Sequence, residues 1–213
     1  MEPDAVEIRV LGCLLEKQRT TPDAYPLSLN ALRLACNQSS NRDPVVAYEE
    51  AEVSEALRRL ALRGWTRLAS NAGSRARKYR HLLDQALDLE PPELSLLAVL
   101  MLRGAQTPGE LKQRSERLHG FDHLSTVHEA LDRLIARDYV IRCERRPGQK
   151  EERYEQRLGG ELEESEGGGE EVVAPPPNDS VSTASTDSRI DRLEAEVAKL
   201  RAQLTELQRK LGE

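Results

Sequence analysis

VSEALRRLALR at residues 53–63 and VHEALDRLIAR at residues 127–137 read as two copies of one helix, identical at seven of eleven positions. In the first copy Val53, Leu57, Leu60 and Ala61 recur at helical spacing, and in the second Val127, Leu131, Leu134 and Ile135 do. That is the stripe an amphipathic helix lays on a core. The flanking segments repeat in the same order. Upstream, EIRVLGCLLEKQRTTP (7–22) matches ELSLLAVLMLRGAQTP (93–108) in its leading Glu, its apolar spacing and its closing Thr-Pro. Downstream, KYRHLL (78–83) mirrors RYEQRL (153–158) and sets Tyr79 opposite Tyr154. Three collinear matches indicate one supersecondary unit used twice.

Each copy opens with a helix, carried by Ile8, Leu11, Leu14 and Leu15 in one and by Leu96, Val99, Leu100 and Leu102 in the other. A second helix is expected at about 27–37 and 108–118, with Thr-Pro marking where a new element starts because proline suits a first helical turn. After the third helix the period changes. WTRLAS, NAGS and RARKYRHLL read as strand, turn and strand, as do YVIRCE, RRPGQ and KEERYEQRL. Three helices followed by a hairpin is the winged helix-turn-helix order. The expected fold is therefore mainly α with small β-hairpins: two tandem winged helix-turn-helix domains plus a C-terminal coiled-coil helix. The first domain covers residues 1–83, a linker 84–92, the second domain 93–158, an acidic disordered linker 159–187 and the coiled-coil helix 188–213. The first copy carries twelve more residues between its Thr-Pro and its third helix than the second, around Ala24–Tyr48.

The bulk composition agrees with small helical domains. Hydrophobic residues make up 38%, aromatic ones 3% and charged ones 32%, which leaves thin Leu/Ala/Val cores and room for unstructured segments. No run approaches the ~20 apolar residues of a membrane helix, and MEPDAVEIRV lacks the basic start and apolar run of a secretory signal. Cys13, Cys36 and Cys143 stand far apart, an odd set that points to a reducing compartment and a cytoplasmic protein. The net charge of −6 is unevenly spread: residues 1–83 carry thirteen basic and ten acidic side chains, whereas 159–188 carry eight acids and no base.

That acidic stretch, rich in Gly, Pro and Ser, cannot bury enough apolar surface to order itself. A heptad follows it. Ile190, Val197, Leu204 and Leu211 occupy a positions and Leu193, Leu200 and Leu207 occupy d positions. β-Branched residues at two a positions with leucine at d favour a parallel dimer, so a homodimer is expected. Docking of this helix on another partner is the alternative.

LGCLLEKQRTTPDAYPLSLNALRLACNQSSNRDPV (11–45) and LRGAQTPGELKQRSERL (102–118) closely resemble the YceH-like family of bacterial proteins, and RPGQKEERY (146–154) looks like that family's second wing. The resemblance spans residues 5–158, and the trailing helix is similar as well. It implies tandem winged-helix domains and no established activity.

Winged helices commonly bind DNA, and three groups of side chains are candidates for doing so. Arg75, Arg77, Lys78 and Arg80 crowd the first hairpin, which has no acid between Trp65 and Leu83. Arg145, Arg146 and Lys150 surround the second turn, with Glu144, Glu151, Glu152 and Glu155 close by. Cations on a protruding hairpin neutralise phosphates, although charges on strand edges also serve solubility alone. In the loop between helices two and three, Asn37, Gln38 and Asn41 are side chains that read adenine and Arg42 one that reads guanine; the same residue types cap helices and shape turns. Against DNA stands the third helix, which opens with Glu49, Glu50, Glu52 and Glu55. Carboxylates suit a helix N-terminus but repel phosphates.

Enzyme and metal chemistry find little support. His119, His123 and His128 have no counterparts in the first copy, and HEAL at 128–131 lacks the second histidine of a zinc protease because Asp132 stands there. GxSxG, P-loop and GxGxxG motifs are missing from the sequence, so no catalytic residue, cofactor or metal is expected. Two functions remain: a DNA-binding regulator or nucleoid-associated factor dimerised by the coiled coil, and a protein-interaction adaptor whose winged-helix surfaces dock a protein partner.

Overall fold

Helix α1 (Ala5–Thr20) starts where Asp4 caps it. The Asp4 Oδ1 accepts from the Glu7 amide at 2.8 Å, and Glu7 returns the bond to the Asp4 amide at 3.1 Å. This reciprocal box satisfies two donors that a helix start leaves open. The computed structural model describes residues 2–69, 77–143 and 151–159. Among them the chain is mainly helical, with two small antiparallel sheets.

After α1 come a single 3-10 turn (Pro22–Ala24), strand β1 (Leu27–Ser28), helix α2 (Leu29–Cys36) and helix α3 (Glu50–Leu62). Strands β2 (Thr66–Leu68) and β3 (Lys78–His81) follow, then the short helix α4 (Leu83–Ala86). The second half repeats the order with α5 (Pro91–Arg103), α6 (Pro108–Ser115), α7 (Leu124–Ala136), β4 (Val140–Cys143) and β5 (Arg153–Gln156). The first sheet runs β1-β3-β2, with Leu27 opposite Tyr79. In the second half a single bridge joins Gln106 to Tyr154 beside the β4-β5 pair. Tyr79 and Tyr154, matched by sequence, thus hold the same place: each ties its hairpin to the residue just before the cap of helix two, Leu27 before Ser28 and Gln106 before Thr107.

Helix two departs from expectation in both copies. In the first, Leu27 and Ser28 are strand, and the Ser28 hydroxyl caps α2 by accepting from the Ala31 amide at 3.3 Å. In the second, Thr107 caps α6, which ends at Ser115 instead of reaching Leu118. The counterpart of the Thr107 cap is therefore Ser28. Thr21 and Pro22 start only the 3-10 turn, so part of the extra length of the first copy lies before helix two.

Helices α1 and α5 are buried almost all round, from Glu7 to Leu15 and from Glu93 to Leu102. A helix apolar on every side belongs at the centre of a core, and these two pack on each other. Gly12 makes the close approach possible: a Cβ there would lie 2.9 Å from Leu102 Cγ and 3.0 Å from Met101 Cβ. Helices α2 and α3 pack on α1, and α6 and α7 pack on α5. The described residues all fall within one compact unit. Within 84–92, Leu89 is buried in the shared core and Glu90 caps α5, while Leu83 just before is also buried. Among the described residues no helix is long and apolar enough to cross a membrane. The heptad positions Ile190, Leu193, Val197, Leu200, Leu204, Leu207 and Leu211 lie outside the described residues.

Each central helix also carries one buried acid near its start. Glu7 meets Arg63 Nε at 3.4 Å and Arg59 at 3.8 Å, and Glu93 meets Arg133 Nε at 3.3 Å. Arg59 and Arg133 are matched positions of the repeated third helix, so the repeat extends to the ion pair that joins helix three to helix one.

Candidate nucleic-acid interface

The first sheet has two unlike faces. Antiparallel pairing sets Thr66 opposite His81, Arg67 opposite Arg80, and Ser28 opposite Lys78. Successive side chains alternate between faces. Leu27, Thr66, Tyr79 and His81 therefore face the core, and all but half-buried Tyr79 are buried there. Arg67, Lys78, Arg80 and Ser28 share the outer face. Like charges directly opposite each other in a sheet are unfavourable, so Arg67 and Arg80 gain nothing from their neighbourhood. Among the described residues neither of them, nor Lys78, has an acidic partner, and Arg80 Nε is shielded from solvent without an acceptor. Arg77, just before β3, is exposed. Arg75 lies outside the described residues.

The core face explains why this sheet is held in place. His81 Nε2 stands 2.6 Å from Gln18 Oε1, and His81 Nδ1 accepts from the Leu83 amide at 3.3 Å. The ring is thereby fixed as the neutral tautomer with its proton on Nε2. Burial pushes the His81 pKa down to about 4; Asp84 opposes this, and Arg80 and Arg19 add to it.

The second sheet is different. Arg142 pairs with Glu152 at 3.3 Å and lies over the Tyr154 ring, and Arg153 pairs with Glu110 at 3.1 Å. On the face opposite Arg142, Ile141 pairs with Glu155 and Cys143 with Arg153. Its described cations are thus matched by acids. Arg145, Arg146 and Lys150 lie outside the described residues.

In the loop between α2 and α3 the side chains of Asn37, Gln38, Asn41 and Arg42 are all engaged in hydrogen bonds, Arg42 buried and Asn41 exposed. Arg42 is 6% exposed. Its Nη1 and Nη2 grip the two Glu16 oxygens at 3.1 and 2.7 Å, its Nε donates to the Ala35 carbonyl at 3.1 Å, and Nη2 also meets Gln38 Oε1 at 2.9 Å. Burial works against the Arg42 charge, but the Glu16 carboxylate outweighs it and the pKa rises above the usual arginine value. Asn37 bonds both backbone groups of Tyr48, each at 2.9 Å, which fixes the loop just ahead of α3. Asn41 adopts a left-handed backbone with φ 60° and accepts from Arg103 of α5. The Asp43 amide donates to the Leu102 carbonyl at 2.8 Å. In this conformation Asn37, Gln38, Asn41 and Arg42 build the loop and fasten it to α1 and α5, away from the Arg67–Lys78–Arg80 face in their bonding.

On α3 the acids stay exposed, and Arg58 is taken up by Glu55 at 2.6 Å. Arg67 is the residue that sequence reading passes over. It sits in WTRLAS, where nothing marks it as facing Lys78 and Arg80 until the register is known; period-two alternation across the hairpin was the available signal. Among the described residues no group of three or more His, Cys, Asp or Glu is placed to hold a metal.

These features define a mainly helical protein of two repeated halves, with a cationic sheet face on the first that has no acidic partner among the described residues. Residues 4–149 match the family described as "Protein of unknown function, DUF480", and the chain belongs to that family. It is 46% identical to a UPF0502 protein of Azotobacter vinelandii over 192 residues, covering 90% of this chain and 83% of the relative. It is 53% identical to a UPF0502 protein of Geotalea daltonii over 158 residues, covering 73% and 72%. The UPF0502 protein YceH of Salmonella schwarzengrund is 42% identical over 221 residues, covering 100% of this chain and 99% of the relative.

Proposed function

We propose that this is a cytoplasmic tandem winged-helix protein that binds double-stranded DNA without enzymatic activity, as a regulator or nucleoid-associated factor dimerised by its C-terminal helix. The observation that carries the reading is the outer face of the first sheet, where Arg67, Lys78 and Arg80 stand together without an acidic partner among the described residues. A cation cluster without acidic partners favours phosphate oxygens, whose neutralisation releases counterions. Helix order and the β1-β3-β2 sheet support the winged-helix assignment. Arg77, exposed just before β3, extends the cluster. Such a contact positions the protein on the backbone and carries no base sequence of its own.

The test is fluorescence anisotropy of a labelled mixed-sequence duplex titrated with the full chain at several salt concentrations. Binding is expected to fall with salt at a log–log slope of about −0.9 per phosphate contact. A variant with Arg67, Lys78 and Arg80 changed to Ala should flatten that slope by about two to three contacts' worth. Absence of binding at low salt ends the reading. In that case the exposed acids Glu49, Glu50, Glu52 and Glu55 on and before α3 favour the second reading, a protein-interaction adaptor, because they suit a basic protein surface and repel DNA.

A further inference from the structure

Where α1, α5 and α6 meet, the fold leaves a cleft of about 430 Å³. That is within the ~300–1,000 Å³ range of small-molecule sites. Val99, Leu102 and Leu118 form apolar lining, and Arg103, Arg114 and Arg117 bring three guanidinium groups to it. We propose that this cleft binds a small organic anion, with a carboxylate or phosphate held by the three arginines and an apolar body against Val99, Leu102 and Leu118.

The charge balance of the lining carries the argument. Glu16 is the acid among the lining residues, and its carboxylate is already held by Arg42 at 2.7 Å and Lys17 at 3.2 Å. Arg103 has a neutral partner, the Asn41 side-chain oxygen. Arg114 donates to the Gln106 side-chain oxygen and reaches Glu110 at 3.4 Å, but the other oxygen of that carboxylate serves Arg153 at 3.1 Å and the Thr107 amide at 2.9 Å. Arg117 has no acidic partner among the described residues. Positive charge is thus left over in a concave, partly apolar place. Burial and, after it, the neighbouring Arg114 hold Arg103 below the usual arginine range. Two guanidiniums crowded against an apolar wall gain most from a shared anion, since charge-assisted bonds to carboxylate or phosphate are strong and geometrically matched to arginine. The lining comes from both repeats, with Glu16 and Thr20 from α1 and the arginines from α5 and from α6 onward, so a bound anion would also join the two halves.

The probe for the test is 1-anilinonaphthalene-8-sulfonate, an aromatic anion, with uncharged N-phenyl-1-naphthylamine as its control, both titrated by fluorescence against the full chain. One saturable sulfonate site per chain is expected, with the neutral analogue binding at least tenfold more weakly. Arg117→Gln, at an exposed position, and the double variant Arg114→Gln/Arg117→Gln should weaken the anion about tenfold or more with the near-UV dichroism unchanged. Gln113→Trp keeps the charges and fills the cleft, and it should abolish binding as well. Arg67→Ala, on the sheet face, should leave it intact, which separates this site from DNA binding. The proposal is overturned by any of three results: no saturable site, equal affinity for the charged and neutral probes, or affinity that survives both the arginine substitutions and Gln113→Trp. Competition by inorganic phosphate, citrate and a fatty-acid carboxylate then tells which anion carrier fits; each competitor supports the site only if Arg117→Gln lowers its effect.

Discussion

Arg42 and Glu16, 26 residues apart in sequence, close on each other as a two-pronged pair at 2.7 and 3.1 Å. The remaining Arg42 donor, Nε, reaches the Ala35 carbonyl, so this one side chain binds α1, the end of α2 and the loop after it. Removing one member of a buried pair strands the other and typically costs about 3–5 kcal/mol. Lys17, also on Glu16, offsets part of that. Arg42→Ala should therefore lower unfolding stability by about 3 kcal/mol in urea melts. The double change Glu16→Leu/Arg42→Met should recover much of the loss, because no buried charge is left alone. A neutral effect of Arg42→Ala on stability, with loss of DNA binding instead, would return Arg42 to the interface.

Gly12 marks the crossing of α1 over α5. Valine there meets Leu102 Cγ and Met101 Cβ at about 3 Å from its Cβ alone, and Met101 Cβ cannot swing aside without its backbone. The expected cost of overpacking is about 1–3 kcal/mol, although helix propensity by itself favours replacing glycine. A stabilised Gly12→Val protein in thermal melts would show that the two helices are not in this contact.

His81 gives the chain an acid sensitivity. Its folded pKa is about 4, against 6.5 for the free side chain, so between these values the unfolded chain binds the extra proton. Stability from this residue is fully present above pH 6.5 and is lost as pH falls toward 4. The total is up to about 3 kcal/mol. Urea melts from pH 7.5 to 4 should show this decline, and His81→Gln should be less stable at pH 7.5 but flatter across the range. Parallel pH curves for the two proteins would refute the assignment.

Arg67 offers a single-residue test of the sheet face. It is exposed and pairs in register with Arg80, so Arg67→Ala should leave stability unchanged or slightly raised by relief of like charge. If the face meets phosphates, the same change should lower the salt slope of DNA binding by about one unit and weaken all sequences alike.

The C-terminal heptad predicts assembly. Sedimentation of the full chain should show a dimer, and a chain ending at 187 should be a monomer with the same helical core. Leu204→Lys, a charge in a seam position, should act like the truncation. An unchanged mass for both would make the helix a docking element.

The sequence alone determined the repeat, the element types and the family. Those rest on local rules, since the helical stripe of Val53, Leu57 and Leu60 and the switch to period two at Trp65 are set by neighbours along the chain. The Tyr79–Tyr154 correspondence was readable for the same reason. Helix two was read less well, because Ser28 and Thr21 are both good caps and only strand pairing of Leu27 with Tyr79 chooses between them. What tertiary structure decided is where charge is left over. Arg42 and Arg67 look alike in sequence, yet one meets the Glu16 carboxylate in the interior and the other faces Arg80 across a strand. The arginines of the cleft, 103, 114 and 117, come together where α6 packs on α5, and α1, packed on α5 across a contact nearly ninety positions apart, supplies Glu16 and Thr20 to the same lining. An ion pair or its absence depends on distances of a few ångströms between remote segments, because Coulomb energy and desolvation change steeply there, and no pattern along the chain encodes them.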